Sequence, residues 1–176
     1  MRRGRWKAVG MIPAKLKKAV VIVAPHTSSR DVTVGLAFRK VLHLERIKFL
    51  GKQELFKPPF GFIFRRLGGI PVDRFHKTNF VDAVVALFAG KDEFIIALSP
   101  EGTRKKVDRL RTGFYHIAKK ARVPIVMLGL DFENRQLIFA EPFFTGDDEA
   151  ADLKHILRFF APIKGKYPEN GIGHLL

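Results

Sequence analysis

The stretch Ala19-Val20-Val21-Ile22-Val23-Ala24-Pro25-His26-Thr27-Ser28-Ser29-Arg30-Asp31 decides how this chain folds. Its first six residues are apolar without a break and rich in β-branched side chains. A strand wetted on one face alternates apolar with polar residues, so this one reads as buried on both faces. Pro25 ends the run, and a helical pattern covers residues 31–42. A buried strand leading into a helix is the building unit of layered α/β domains. Further strand-like runs at 47–50, 94–98, 125–130 and 136–139 alternate with helix-like stretches at 79–89, 112–121 and 148–159, with Asn79 and Thr112 as expected N-caps. The last two strand runs are close enough for a hairpin. The expected fold is a single α/β domain with a mixed β-sheet flanked by helices.

The chain has 176 residues, 47% of them hydrophobic, which suits one buried core and is short for two. Its longest apolar runs fall well below the roughly 18 residues of a membrane-spanning helix. No apolar stretch with a small-residue cleavage site follows the basic start, so a secretory leader is not expected and the chain is assigned to the cytoplasm. With no cysteine there is no disulfide framework, zinc ribbon or thiol nucleophile, and no metal site is expected.

A net charge of +15 calls for an anionic partner: nucleic acid, anionic lipid headgroups or a phosphorylated substrate. Arg2, Arg3, Arg5, Lys7, Lys15, Lys17 and Lys18 crowd the start, interleaved with Trp6, Val9, Met11, Ile12 and Leu16. Residues 1–18 therefore read as a basic amphipathic segment for an anionic membrane surface, placed before a domain of residues 19–176. A solvated basic tail accounts for the same charges, and Pro13 interrupts any continuous helix there. No recognition helix, zinc finger or aromatic RNA-binding motif is present, so nucleic acid is not the expected partner.

Three segments carry polar chemistry. His26 follows the first strand, where ligands bind in α/β sheets. An imidazole takes a proton from an alcohol when a carboxylate accepts its other ring N–H, and Asp31 can reach back to it from inside the helix. A His and an Asp this close also occur without catalytic meaning, and Thr27, Ser28 or Ser29 can serve only to cap the helix. A serine nucleophile lacks its G-x-S-x-G elbow. The second segment, Ser99-Pro100-Glu101-Gly102-Thr103-Arg104-Lys105-Lys106, also follows a strand. Gly102, Thr103 and Arg104 suit an anion cradle, while Glu101 suits an ion pair or hydrogen bonds that fix the turn; a solvated basic turn is the plainer alternative. In the third, Gly68-Gly69-Ile70-Pro71-Val72-Asp73-Arg74, Arg74 either completes a phosphate site or pairs with Asp73. Between them, residues 54–70 hold Phe56, Phe60, Phe62 and Phe64 among prolines and glycines, which reads either as an apolar groove or membrane-facing lip, or as core packing.

In order, His26-x-x-x-x-Asp31, the Gly-Gly-Ile-Pro-Val-Asp-Arg block at 68–74, Pro-Glu-Gly-Thr-Arg at 100–104 and Val-Pro-Ile-Val at 123–126 resemble the lysophosphatidate acyltransferase family of glycerolipid acyltransferases. The resemblance spans about residues 20–130. It implies His26 as general base, Asp31 as the residue orienting it, and Glu101, Gly102, Thr103 and Arg104 as the acceptor-phosphate site, joined by Arg74 and Lys52. Two positions depart from the family pattern: Pro25 stands where Asn is common before the histidine, and Ser99 replaces an aromatic residue. The implied reaction moves a fatty acyl group from acyl-CoA or acyl carrier protein to a hydroxyl of a lyso-glycerophospholipid, 1-acyl-glycerol-3-phosphate above all. Glycerol 3-phosphate and a lyso-amino-acid lipid are the alternative acceptors. Outside that reading stands a noncatalytic module binding anionic lipid or nucleic acid. No cofactor is implied beyond the thioester co-substrate, and the place of action is the inner face of the cell membrane, held peripherally.

Overall fold

The computed structural model describes residues 6–72 and 77–176, the side chains at positions 52 and 77–79 apart. In chain order the elements are β1 (Lys7–Val9), β2 (Lys18–Ala24), α1 (Arg30–Val41), β3 (Ile47–Lys52), α2 (Gly61–Arg66), β4 (Gly69–Val72), α3 (Lys77–Ala89), β5 (Phe94–Leu98), α4 (Gly113–Ala121), β6 (Ile125–Asp131), β7 (Gln136–Phe139) and α5 (Glu149–Phe160). Among the described residues seven strands form one sheet in the order β1-β7-β6-β2-β5-β3-β4. Strands β6 and β7 form the expected hairpin and are antiparallel; every other neighbouring pair is parallel. The sheet is therefore mixed, with helices on both faces.

β2 lies at the centre of the sheet, and its side chains show why its sequence never alternates. Val20, Ile22 and Ala24 face a core shared with Val84 and Phe88 of α3, Phe114 and Ile117 of α4, and Phe160 of α5. Ala19 and Val21 face the opposite core, with Ile12, Val126 and Leu130 and with Val34 and Phe38 of α1. Successive strand residues point to opposite faces, so a strand covered on both sides is apolar throughout. Each large side chain buried this way contributes about 1.5–3 kcal/mol relative to exposure.

Some local expectations are corrected. Asn79 lies inside α3, which begins at Lys77, and is not its N-cap. Thr112 does hold the N-cap position of α4, yet its side chain makes no capping hydrogen bond. Among the described residues a side-chain cap is made by Asp148, whose carboxylate accepts the Ala151 N–H at 3.0 Å at the start of α5.

Within the basic start, residues 6–12 pack against the rest of the domain. Lys7–Val9 form a strand paired with β7, and Trp6 stands edge-on to Phe38 and Phe132. Ile12 is only 2% exposed, inside the second core. A side chain buried against its own protein is not free to enter a bilayer, so the interfacial role read for Ile12 is replaced by a packing role. Arg2, Arg3 and Arg5 lie outside the described residues. Among the described residues no helix is long and apolar enough to cross a membrane.

The aromatic stretch divides. The Phe56 ring is buried against Gly51 and Gly69, where an added Cβ would stand 2.8 Å from it, and a Cβ on Gly61 would strike the Phe56 backbone. Those glycines let Phe56 pack close to the backbone, with Phe64 edge-on at 6.0 Å. Phe60 and Phe62 point outward and are exposed.

Candidate active site

Parallel pairing of β2 with β5, in a register that sets Ile22 opposite Leu98, brings the two strands to the same end of the sheet. The chain leaves β2 into the turn carrying His26 and leaves β5 into the turn carrying Glu101. Two segments of the sequence reading thus become neighbours at the carboxyl ends of adjacent strands, the usual place for a ligand in such a sheet.

His26 sits in the turn before α1, and its Nδ1 is 3.0 Å from Asp31 Oδ2. The same oxygen accepts the backbone N–H groups of Thr27 and Ser28, each at 2.8 Å. Asp31, in the first turn of α1, therefore organises the turn and the imidazole with one oxygen; its Oδ1 is buried with no partner among the described residues. With Nδ1–H donated to Asp31, the tautomer leaves a lone pair on Nε2. Among the described residues Nε2 has no partner, and the His26 side chain is 22% exposed against 2% for Asp31, so the free nitrogen is reachable. The serines do less than a cap would. Ser29 holds the N-cap position without a side-chain bond, and Ser28 Oγ accepts the Arg30 N–H at 3.2 Å.

Glu101, read from the resemblance as part of the phosphate site, is buried directly behind the histidine turn. It is 2% exposed, and its two oxygens accept the His26 backbone N–H at 3.0 and 2.8 Å. Ser99 Oγ donates to the same carboxylate at 2.8 Å. A buried carboxyl so engaged braces the backbone of the histidine, one of the roles its chemistry suggests in the sequence. The departure at Ser99 gains a purpose here, as a hydroxyl partner for that carboxylate.

Burial raises the Glu101 carboxyl above its ordinary 4.5, against the opposing pull of the His26 N–H and the Ser99 hydroxyl. The folded protein then holds this proton more tightly than the unfolded chain does. The group's contribution to stability is full below pH 4.5 and is lost as pH rises through the raised native value. Glu101→Gln keeps an acceptor for His26 and removes the titration. Its melting temperature is therefore expected to fall less than that of the wild type between about pH 4 and 8. Superimposable profiles for the two proteins would assign the pH dependence elsewhere.

Beyond Glu101 the turn opens to solvent. Gly102 has φ +66°, and a Cβ there would lie 2.8 Å from Arg111 Nε, so the Arg111 side chain crosses its backbone. The Arg111 N–H also binds the Pro100 carbonyl at 2.8 Å. Arg104 is exposed and Thr103 half-buried on the same turn. Arg111 escaped the sequence reading because it lies outside every recognisable motif; only the fold of the turn places it over Gly102. Arg74 lies outside the described residues. Lys52 closes β3 by its backbone, and its side chain lies outside them too.

The C-terminal segment was also silent in the sequence. The Tyr167 N–H donates to buried Thr27 Oγ1 at 3.1 Å, and Phe132 N–H to the Lys164 carbonyl at 2.8 Å. Gly165 lies so close to Thr27 that a Cβ would stand 2.7 Å from its hydroxyl oxygen. The chain end is thus strapped to the residue after His26. Among the described residues no group of three His, Cys, Asp or Glu is placed to hold a metal ion.

A family model described as Acyltransferase matches residues 7–130. No curated protein matches the chain at a significant level. Among solved structures, the crystal structure of the 1-acyl-sn-glycerophosphate (LPA) acyltransferase PlsC from Thermotoga maritima is similar with a TM-score of 0.63 and 19% sequence identity, covering 97% of this chain and 72% of that one. At that identity the likeness is one of fold.

Proposed function

The chain belongs to the Acyltransferase family, and from that premise we propose that it transfers a fatty acyl group from acyl-CoA or acyl carrier protein to a hydroxyl of a lyso-glycerophospholipid, with 1-acyl-glycerol-3-phosphate as the favoured acceptor. The observation that carries this reading is the His26 ring, fixed through Nδ1 by buried Asp31 with Nε2 open to the surface.

Nε2 takes the acceptor's hydroxyl proton as its oxygen attacks the thioester carbonyl carbon, forming the new C–O bond. Collapse of the tetrahedral intermediate breaks the C–S bond, and the proton on Nε2 passes to the leaving sulfur. No covalent enzyme intermediate and no cofactor enter this scheme. Asp31 holds the tautomer and stabilises the transient imidazolium. Donors near His26 are needed for the oxyanion. The N–H groups of His26, Thr27 and Ser28 are already committed to Glu101 and Asp31, so those three are not the donors.

We assign the acceptor phosphate to Arg104 and Arg111 at the Gly102 turn, with Lys52 and Arg74 as further cations. Arg104→Ala is expected to raise the apparent KM for a phosphorylated acceptor by about 10- to 100-fold, the loss of one charge-assisted bond, and to leave that of the donor nearly unchanged. A mutant impaired only toward the donor would reverse the assignment of the two substrates. Release of free thiol from acyl-CoA, dependent on both the lyso-lipid and His26, tests the activity itself. The enzyme works peripherally on the inner face of the cell membrane in this reading, since its acceptor resides there.

A further inference from the structure

Leu55, Phe60, Phe62 and Ile63 are 44%, 65%, 67% and 40% exposed, four large apolar side chains within nine residues. Such a concentration in water needs a partner. Between Leu55 and Val72 there is no acidic residue, while Lys57, Arg65 and Arg66 are all present. The segment is also firmly seated: Phe56 is buried beneath it, and Arg65 donates to the Phe56 carbonyl at 3.1 Å with its guanidinium 5.6 Å from that ring. A fixed scaffold thus presents exposed apolar side chains in a segment whose charged residues are all cations.

Its position adds a second argument. β3 enters this segment from its carboxyl end, the same end of the sheet that carries His26, and only β5 separates β3 from β2. That is two strand spacings, about 10 Å. β1, which holds Lys7, lies at the other edge, six spacings or about 29 Å from β4, and Lys15, Lys17 and Lys18 lie where the chain enters β2, at the amino end of the sheet away from His26.

We propose that Leu55, Phe60, Phe62 and Ile63 are the surface that docks this protein on an anionic lipid bilayer, with Lys57 and Arg66 on the headgroup phosphates. The proposal rests on the lipid-acceptor reading above and locates the membrane contact that reading requires. The apolar side chains sit at the acyl boundary, and the cations stay among the headgroups. A docked lip sets the carboxyl end of the sheet against the lipid surface, so an acceptor need travel only a short way to His26. The basic start of the chain has no such relation to the site.

Vesicles of phosphatidylcholine, with and without phosphatidylglycerol, test it by co-sedimentation of the full chain. The double variant Phe60→Ser/Phe62→Ser is expected to bind the anionic vesicles at least about tenfold more weakly, since burying each ring is worth one to two orders of magnitude in partition. Lys15→Gln/Lys17→Gln, just before β2 at the amino end of the sheet, away from His26, is expected to bind almost as the wild type does. Phe62→Trp is expected to show a blue-shifted emission on adding the anionic vesicles, beyond any change in the wild type, whose one tryptophan is Trp6. Undiminished binding by the folded phenylalanine variant would overturn the proposal, as would an emission from the bound Phe62→Trp protein that shifts no more than the wild type's. Loss of binding confined to the lysine variant would do the same. Turnover of a monomeric short-chain lyso-phospholipid is measured in parallel. Its absence in the wild type counts against the acceptor reading, whereas its retention with undiminished vesicle binding by the phenylalanine variant counts against the lip alone.

Discussion

His26→Ala is expected to lower acyl transfer by about 10²–10⁴-fold while the protein stays folded, the usual effect of removing a general base. The separation of activity from stability follows from the geometry. The imidazole is partly exposed and, among the described residues, makes one side-chain hydrogen bond, to Asp31, so its loss opens no core cavity. Asp31 retains the Thr27 and Ser28 N–H groups after the substitution, and the backbone N–H of residue 26 still reaches Glu101. Thiol release assayed with saturating thioester and lyso-phospholipid, beside a thermal melt of the same sample, gives both quantities. Near-normal turnover in a folded mutant would remove His26 from the reaction.

Asp31→Ala is expected to damage both stability and activity. One buried oxygen serves three groups, the Thr27 and Ser28 N–H groups and the His26 ring, and alanine leaves two backbone donors unsatisfied in a buried turn. At about 1–3 kcal/mol for a stranded buried donor, with some relief from water, a loss of roughly 2–4 kcal/mol in unfolding free energy follows. Transfer per folded molecule should drop toward the level of His26→Ala, because the ring loses its tautomer and its direction together. Asp31→Asn keeps an acceptor oxygen for the turn but not the charge that steadies an imidazolium, so its activity should fall between those of the wild type and His26→Ala. Denaturant unfolding of all three proteins, with transfer assays at equal folded concentration, checks the order. Full activity in Asp31→Asn beside an inactive His26→Ala would leave the histidine without its partner, and an unchanged unfolding free energy in Asp31→Ala would contradict the role in the turn.

The amino-acid sequence alone determined what short-range chemistry encodes. The unbroken apolar run at 19–24, its stop at Pro25 and the helix after it specify a buried strand, a turn and a helix, and the five-residue step from His26 to Asp31 lets the carboxylate reach back to the ring. Local spacing suffices there because both residues belong to one turn. Glu101 is different: its grip on the His26 N–H spans 75 positions and exists only because β2 and β5 are parallel neighbours, which no local pattern states. Arg111 over Gly102 and Tyr167 on Thr27 likewise depend on how loops cross. Composition also could not divide chemically identical residues. Phe56 is buried and Phe60 exposed because Gly51 and Gly69 leave room for the Phe56 ring, and Ile12 leaves the basic start for the core because β1 joins the sheet through β7. Hydrophobicity gives each of these side chains the same reason to leave water. Which of them do so inside the protein is settled by strand order and by the space that backbone packing leaves.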